Sequence, residues 1–236
     1  MLGNDLLALA ITFASAIVWL RLNNFAAARG WVSSQVSRKI IHMGTGPIFV
    51  MCWPLFSQAP LSRFLAASVP LLITLQFLMV GLGIVKDDSA VKSMSRTGER
   101  REILRGPLYY GIIFVVMTLL YWTDSPIGML ALMLMCGGDG LADIIGRRFG
   151  RHPLPWAERK TWEGSLAMLL GGWIFAAGIL VYFILLGTFS GPLVDYLPAV
   201  SVIAIAGAAV ESLQYHDIDN ITITLVSVAL GHLLIG

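Results

Sequence analysis

The chain has 236 residues, of which 57% are hydrophobic and only 13% charged, with a mean hydropathy of +0.78 and a formal net charge of +2. Soluble domains carry about 25% charged residues, so this composition excludes folding in water alone, and the length leaves no room for a separate soluble catalytic domain. The net charge says little and its distribution says more; no nucleic-acid partner is expected.

A membrane-spanning helix needs about 20 mostly apolar residues. In chain order the candidate spans are 5–22, 40–57, 64–85, 107–122, 126–146, 165–187, 196–213 and 220–235. The opening MLGNDLLALA has no basic stretch and no cleavage signature, so the first run is expected to remain as a span rather than act as a signal peptide. The weakest candidates are 40–57, interrupted by Gly44, Gly46, Pro47 and Pro54, and the short 107–122. Seven spans with one re-entrant or interfacial helix is the alternative. The expected fold is all-α, a multi-pass integral membrane helical bundle forming a single polytopic domain over 1–236. Cys52 and Cys136 lie in apolar runs and read as buried thiols.

Positive charge orients such a bundle. Fifteen of the sixteen Lys and Arg residues fall in the segments joining spans 1–2, 3–4 and 5–6; Arg63 is the exception. Those segments are expected to be cytoplasmic, and the polar stretches 23–42, 86–106, 139–164 and 211–220 then share one face. A bacterial inner membrane is the expected location.

The stretch 137–165, GGDGLADIIGRRFGRHPLPWAERKTWEGS, concentrates the chemistry. Asp139 and Asp143 share one helical face, with Arg147 one turn further on. Gly138, Ala142 and Gly146 make a small-residue stripe along which a second helix can approach closely. Ionisable groups at membrane depth are costly and usually line a polar cavity. The two carboxylates can hold Mg²⁺ bridging nucleotide phosphates; the simpler alternative is an Asp143–Arg147 ion pair with Asp139 near the interface. The following segment reads as a loop ending in a helix start. Thr161 is the expected N-cap, with Glu163 and Gly164 in the first turn, where free N–H groups favour anions. On its own, this basic loop serves equally well as a membrane anchor. No phosphate-binding G-x-x-x-x-G-K-[ST] loop and no protein-kinase motif occurs.

The blocks GDGLADIIGRRFG and LPWAERKTWEGSLAM resemble the nucleotide-binding region of the polyprenol kinases, which include dolichol kinase and, closer in size, phytol and farnesol kinases. SRKIIHMGTG at 37–46, RREILRGPLYY at 100–110 and VESLQYHDIDNITITL at 210–225 match in the same order. The resemblance implies a kinase that uses CTP and Mg²⁺ to phosphorylate an isoprenoid alcohol: phytol, geranylgeraniol, farnesol or a polyprenol. It implies that Asp139 and Asp143 hold the metal–CTP complex, that Arg147, Arg148 and Lys160 contact phosphates, and that Glu163 supports the loop or a second metal. Glu211, Asp217, Asp219 and Asn220 would close the site, Glu211 as a further metal ligand. Thr161, Gly164, Arg38, Lys39, Arg100 and Arg101 are the remaining expected nucleotide contacts. The base for the lipid hydroxyl is His42, Asp217 or Asp219, and sequence does not choose among them. The aspartate with G-R-x-x-G and K-T-W-E-G also resembles CDP-diacylglycerol synthase, but that family's C-terminal signature is missing here. A third reading, an ion-coupled transporter, fits poorly, since the charges cluster on one face and the two halves lack internal similarity.

Overall fold

The computed structural model describes residues 3–213 and 218–236, and the chain divides into two compact units that meet between Leu120 and Tyr121.

In the first unit, helix α1 (Asp5–Ala28) is started by Asn4, whose side chain accepts the N–H groups of Leu6 and Leu7. The Asp5 carboxylate then accepts hydrogen bonds from the Ser57 N–H at 2.6 Å and the Ser62 hydroxyl at 2.6 Å, tying the helix start to a distant turn. Helix α2 (Ser34–Met51) packs on α1, with Gly44 so close to the Trp19 ring that no side chain would fit. A short 3₁₀ turn at Trp53–Leu55 leads to α3 (Ser62–Leu82), which stops at Gly83, whose φ of +79° glycine adopts without strain. The short α4 (Asp88–Met94) is capped by Asp87. A 3₁₀ turn at Arg100–Leu104 runs into α5 (Gly106–Leu120), which lies along α3. Phe49, Trp53 and Phe114 form an edge-to-face aromatic core, with Tyr110 beside Phe114.

The second unit is built around one enclosed helix. Helix α6 (Pro126–Met133) begins with Ser125 as cap and proline at its first position, continues through a π-helical turn at Leu134–Asp139, and becomes α7 (Gly140–Phe149). Residues Met129–Cys136 are each at most 1% exposed, which explains why this stretch is apolar all round rather than amphipathic. Beyond Asp139 the helix turns amphipathic and emerges. A two-stranded antiparallel hairpin follows, β1 (Pro153–Leu154) and β2 (Ala157–Thr161), and then α8 (Trp162–Leu185), α9 (Leu193–Glu211) and α10 (Asp219–Leu234). Helix α8 packs on α7 and the π-helical turn, α9 on α8 and α10, and α10 on α6.

Among the described residues six helical segments are long and apolar enough to cross a membrane: 5–28, 62–82, 100–120, 126–149, 162–185 and 193–211. Two expected spans fall outside this set. Helix α10 has 16 residues, and α2 spends its first half on Ser37, Arg38, Lys39 and His42. The expected short span 107–122 is part of a longer segment of 21 residues, because the 3₁₀ turn extends it backwards to Arg100.

Candidate active site

The small-residue stripe does what its spacing implies. A Cβ on Gly164 would lie 3.3 Å from the Ala142 carbonyl oxygen and 3.4 Å from the Gly146 Cα, so α7 and α8 touch backbone to backbone at the start of α8. Farther in, a Cβ on Gly138 would lie 3.0 Å from the Met168 carbonyl oxygen. Thr161 is the N-cap expected, its hydroxyl accepting the Gly164 N–H at 3.2 Å. The hairpin therefore enters α8 at a fixed angle against the helix that carries Asp139 and Asp143.

Asp143 pairs with Arg147 at 2.7 Å, the helix ion pair weighed as the simpler alternative. Asp139 closes the π-helical turn, a distortion that recurs at functional sites. The centre of the cluster is Lys160. Its ammonium pairs with the buried Glu211 carboxylate, lies 3.8 Å from Asp219 Oδ2 and feels the charge of Asp139. Burial alone would lower the Lys160 pKa. Glu211 first, then Asp219 and Asp139, outweigh burial and hold it above the ordinary lysine value. The lysine stays charged throughout the neutral range, and its contribution to stability is lost only as pH rises above the ordinary lysine range. Four residues singled out from distant parts of the sequence thus meet in one place.

Other expected site residues have different partners. Glu163 binds His152 twice: Nδ1 lies 2.6 Å from Oε1, and the His152 N–H donates to Oε2 at 3.3 Å. These contacts tie the first turn of α8 to the loop before the hairpin. Arg148 lies over the Phe149 ring. Asn220 is buried in the first turn of α10, its carbonyl accepting the Thr224 hydroxyl. Asp217 lies outside the described residues. In the first unit, Arg38 donates to the Ser95 carbonyl at 3.0 Å, and the His42 ring stacks at 4.4 Å on Tyr110, whose hydroxyl donates to the His42 carbonyl at 2.7 Å. Lys39 is half-buried on α2; Arg100 and the exposed Arg101 open the 3₁₀ turn before α5, with the Arg100 guanidinium filling the space over Gly83.

Sequence reasoning passed over three residues here. His152 faces Glu163; Trp156, at the hairpin tip, donates its indole N–H to the Ser212 hydroxyl at 3.2 Å. The signal was Pro153 and Pro155 bracketing a tight turn before AERKT, which reads as a hairpin only once the pairing of Leu154 with Ala157 is known.

Magnesium, implied by the resemblance, can be tested against these donors. Among the described residues no group of three or more His, Cys, Asp or Glu side chains is arranged to hold a metal, so no all-protein cage exists there. Glu211 and Glu163, expected as further ligands, are engaged by Lys160 and His152. A magnesium carried by a nucleotide needs only one or two carboxylates, with phosphate and water completing its shell. Asp139 and Asp143 supply hard oxygens of that kind, and the donor set fits an ion that arrives with its nucleotide.

Helices apolar enough to span a bilayer, with carboxylates and a half-buried lysine gathered where the enclosed helix emerges, define an all-α membrane protein with a polar site at its helix ends. The chain is 40% identical over 238 aligned positions to a probable chloroplastic phytol kinase of Triticum aestivum, covering all of this chain and 79% of that protein. It is 39% identical over 236 positions to the chloroplastic farnesol kinase of Arabidopsis thaliana (98% and 76% covered) and 37% identical over 210 to phytol kinase 1 of the same plant (88% and 69% covered). No protein-family model and no solved structure matches. This chain belongs to the phytol and farnesol kinase family of isoprenoid alcohol kinases. The relatives are plant proteins named as chloroplastic, which overturns the expectation of a bacterial inner membrane and its cytoplasmic face. That expectation rested on charge bias, which sorts loops between two sides but does not identify the membrane.

Proposed function

We propose that this protein transfers the γ-phosphate of CTP to the hydroxyl of an isoprenoid alcohol at the membrane interface, yielding the lipid monophosphate and CDP. The observation that carries this reading is the match, along the whole chain, to relatives named as phytol and farnesol kinases. The second unit supplies chemistry that suits it. Phosphoryl transfer demands positioning and charge neutralisation more than covalent chemistry from the protein.

In this reading Lys160, held by Glu211 against the end of α9, meets the β- and γ-phosphates, with Arg147 and Arg148 on α7 as further phosphate contacts. Mg²⁺ bound with the nucleotide at Asp139 and Asp143 would neutralise phosphate charge. The alcohol oxygen attacks the γ-phosphorus, the bond to the β-phosphate oxygen breaks, and the hydroxyl proton passes to an Asp219 carboxylate oxygen. Asp219 is assigned this role because its Oδ2 lies 3.8 Å from the Lys160 ammonium. The hydrocarbon tail stays in the bilayer, which accounts for a site placed at helix ends.

Asp139→Asn and Asp143→Asn are each expected to lower turnover about a hundredfold or more, while the protein stays folded and membrane-inserted. Near-normal activity in both variants removes them from the metal–nucleotide site. An assay of phytol, farnesol and longer polyprenols against CTP and ATP tests the reading as a whole. A CTP-dependent lipid monophosphate is the expected product; equal or better use of ATP would overturn the donor assignment.

A further inference from the structure

The hairpin is the only strand structure among the described residues, and it carries Lys160 in its second strand. Two strands of two and five residues are too short to hold their shape unaided. Their shape is instead fixed from outside, at both ends. At the base, Glu163 binds the His152 ring and its backbone N–H, and the Trp162 N–H donates to the His152 carbonyl at 3.0 Å. At the tip, the Trp156 indole donates to Ser212, a buried residue that caps the C-terminus of α9. The Ser212 hydroxyl in turn donates to the Ala209 carbonyl at 2.7 Å, so its lone hydrogen is committed and it can serve Trp156 only as acceptor. The Trp156 ring stands edge-on to Trp162 at 5.7 Å.

Ser212 is the immediate neighbour of Glu211, the partner of Lys160. The tip fastener and the charge pair therefore grip adjacent residues of one helix end. Trp156 is 56% exposed, and a half-exposed indole with its N–H bound to a buried hydroxyl is held for orientation more than for burial.

We infer that Trp156 and Ser212, with His152 and Glu163 at the opposite end, are positioning residues: they fasten the hairpin as a clamp that holds the Lys160 ammonium against Glu211 and so sets how tightly the nucleotide phosphates are bound. The kinetic part of this inference rests on the kinase reading above; the part concerning Lys160 does not.

The chain has four lysines, Lys39, Lys86, Lys92 and Lys160, so acylation of the bilayer-reconstituted protein, read residue by residue by mass spectrometry, carries its own internal references. In Ser212→Ala, and in Trp156→Phe, which keeps the ring and removes the N–H, Lys160 labelling is expected to rise about threefold to tenfold, the worth of one hydrogen bond, with the other three lysines unchanged. In the same preparations the KM for Mg–CTP is expected to rise by a similar factor while the KM for the alcohol holds. Unchanged Lys160 labelling in both variants, or an equal rise at all four lysines, overturns the clamp; raised labelling with an unchanged nucleotide KM overturns its link to binding. If the wild-type protein phosphorylates no isoprenoid alcohol, the kinase reading falls, and the labelling still decides the clamp.

Discussion

Lys160→Met is expected to destabilise the protein by about 3–5 kcal/mol, the usual cost of stranding one member of a buried ion pair. The side chains of Lys160 and Glu211 are only 23% and 4% exposed, so water cannot replace the lost ammonium at Glu211. Asp219 and Asp139 also act on Lys160, so its removal takes the same cation from three carboxylates at once. Adding Glu211→Gln should recover most of the stability, because an amide can sit there without a counter-charge. It should not recover activity, because the phosphates still lack their cation. Thermal unfolding in detergent, paired with a turnover assay, separates the two effects. Equal stability of Lys160→Met and wild type would contradict the burial and pairing described for this residue.

Gly171→Leu is expected to be the most damaging single change in α8. A Cβ at Gly171 already lies 2.8 Å from the Gly137 carbonyl oxygen and 2.7 Å from a Leu141 methyl. The oxygen belongs to the backbone of the π-helical turn that ends at Asp139, so it cannot rotate away. Overpacking typically costs about 1–3 kcal/mol and sometimes more, and here the strain would be relieved by moving the turn that places Asp139. Activity should fall further than stability alone accounts for. Gly178→Ala, about two turns further along α8 with nothing within 4 Å of its Cβ, is the control. It should be neutral or stabilise by up to about 1 kcal/mol through helix propensity. Similar behaviour of the two variants would contradict the close approach of α8 to the π-helical turn.

Much of this arrangement was legible in the sequence because it depends on local spacing. The apolar runs gave the helices within a few residues. The stripe Gly138–Ala142–Gly146 did pack against a second helix, and Thr161 did cap α8. Asp143 and Arg147 sit four apart and pair, as either reading of them allowed. What could not be read was set by chain reversal. Lys160 and Glu211 are 51 residues apart and Trp156 and Ser212 are 56 apart, so their partnerships depend on how α8 and α9 fold back. The π-helical turn was hidden because two glycines and an apolar run allow an ordinary helix just as well. The expected span 40–57, one of the two weakest, is not among the apolar spans because helix α2 begins at Ser34 and ends at Met51, so that its first half carries Arg38, Lys39 and His42.

Transfer of the terminal phosphate from CTP to an isoprenoid alcohol is read most directly in the fate of label from CTP in the reconstituted protein. With phytol or farnesol as acceptor, CTP labelled at the γ-phosphorus should place its label in the lipid product, while CTP labelled at the α-phosphorus should place none there and CDP should accumulate. Lipid product carrying the α-label, with release of pyrophosphate, would rule out γ-phosphate transfer and make the protein a cytidylyltransferase.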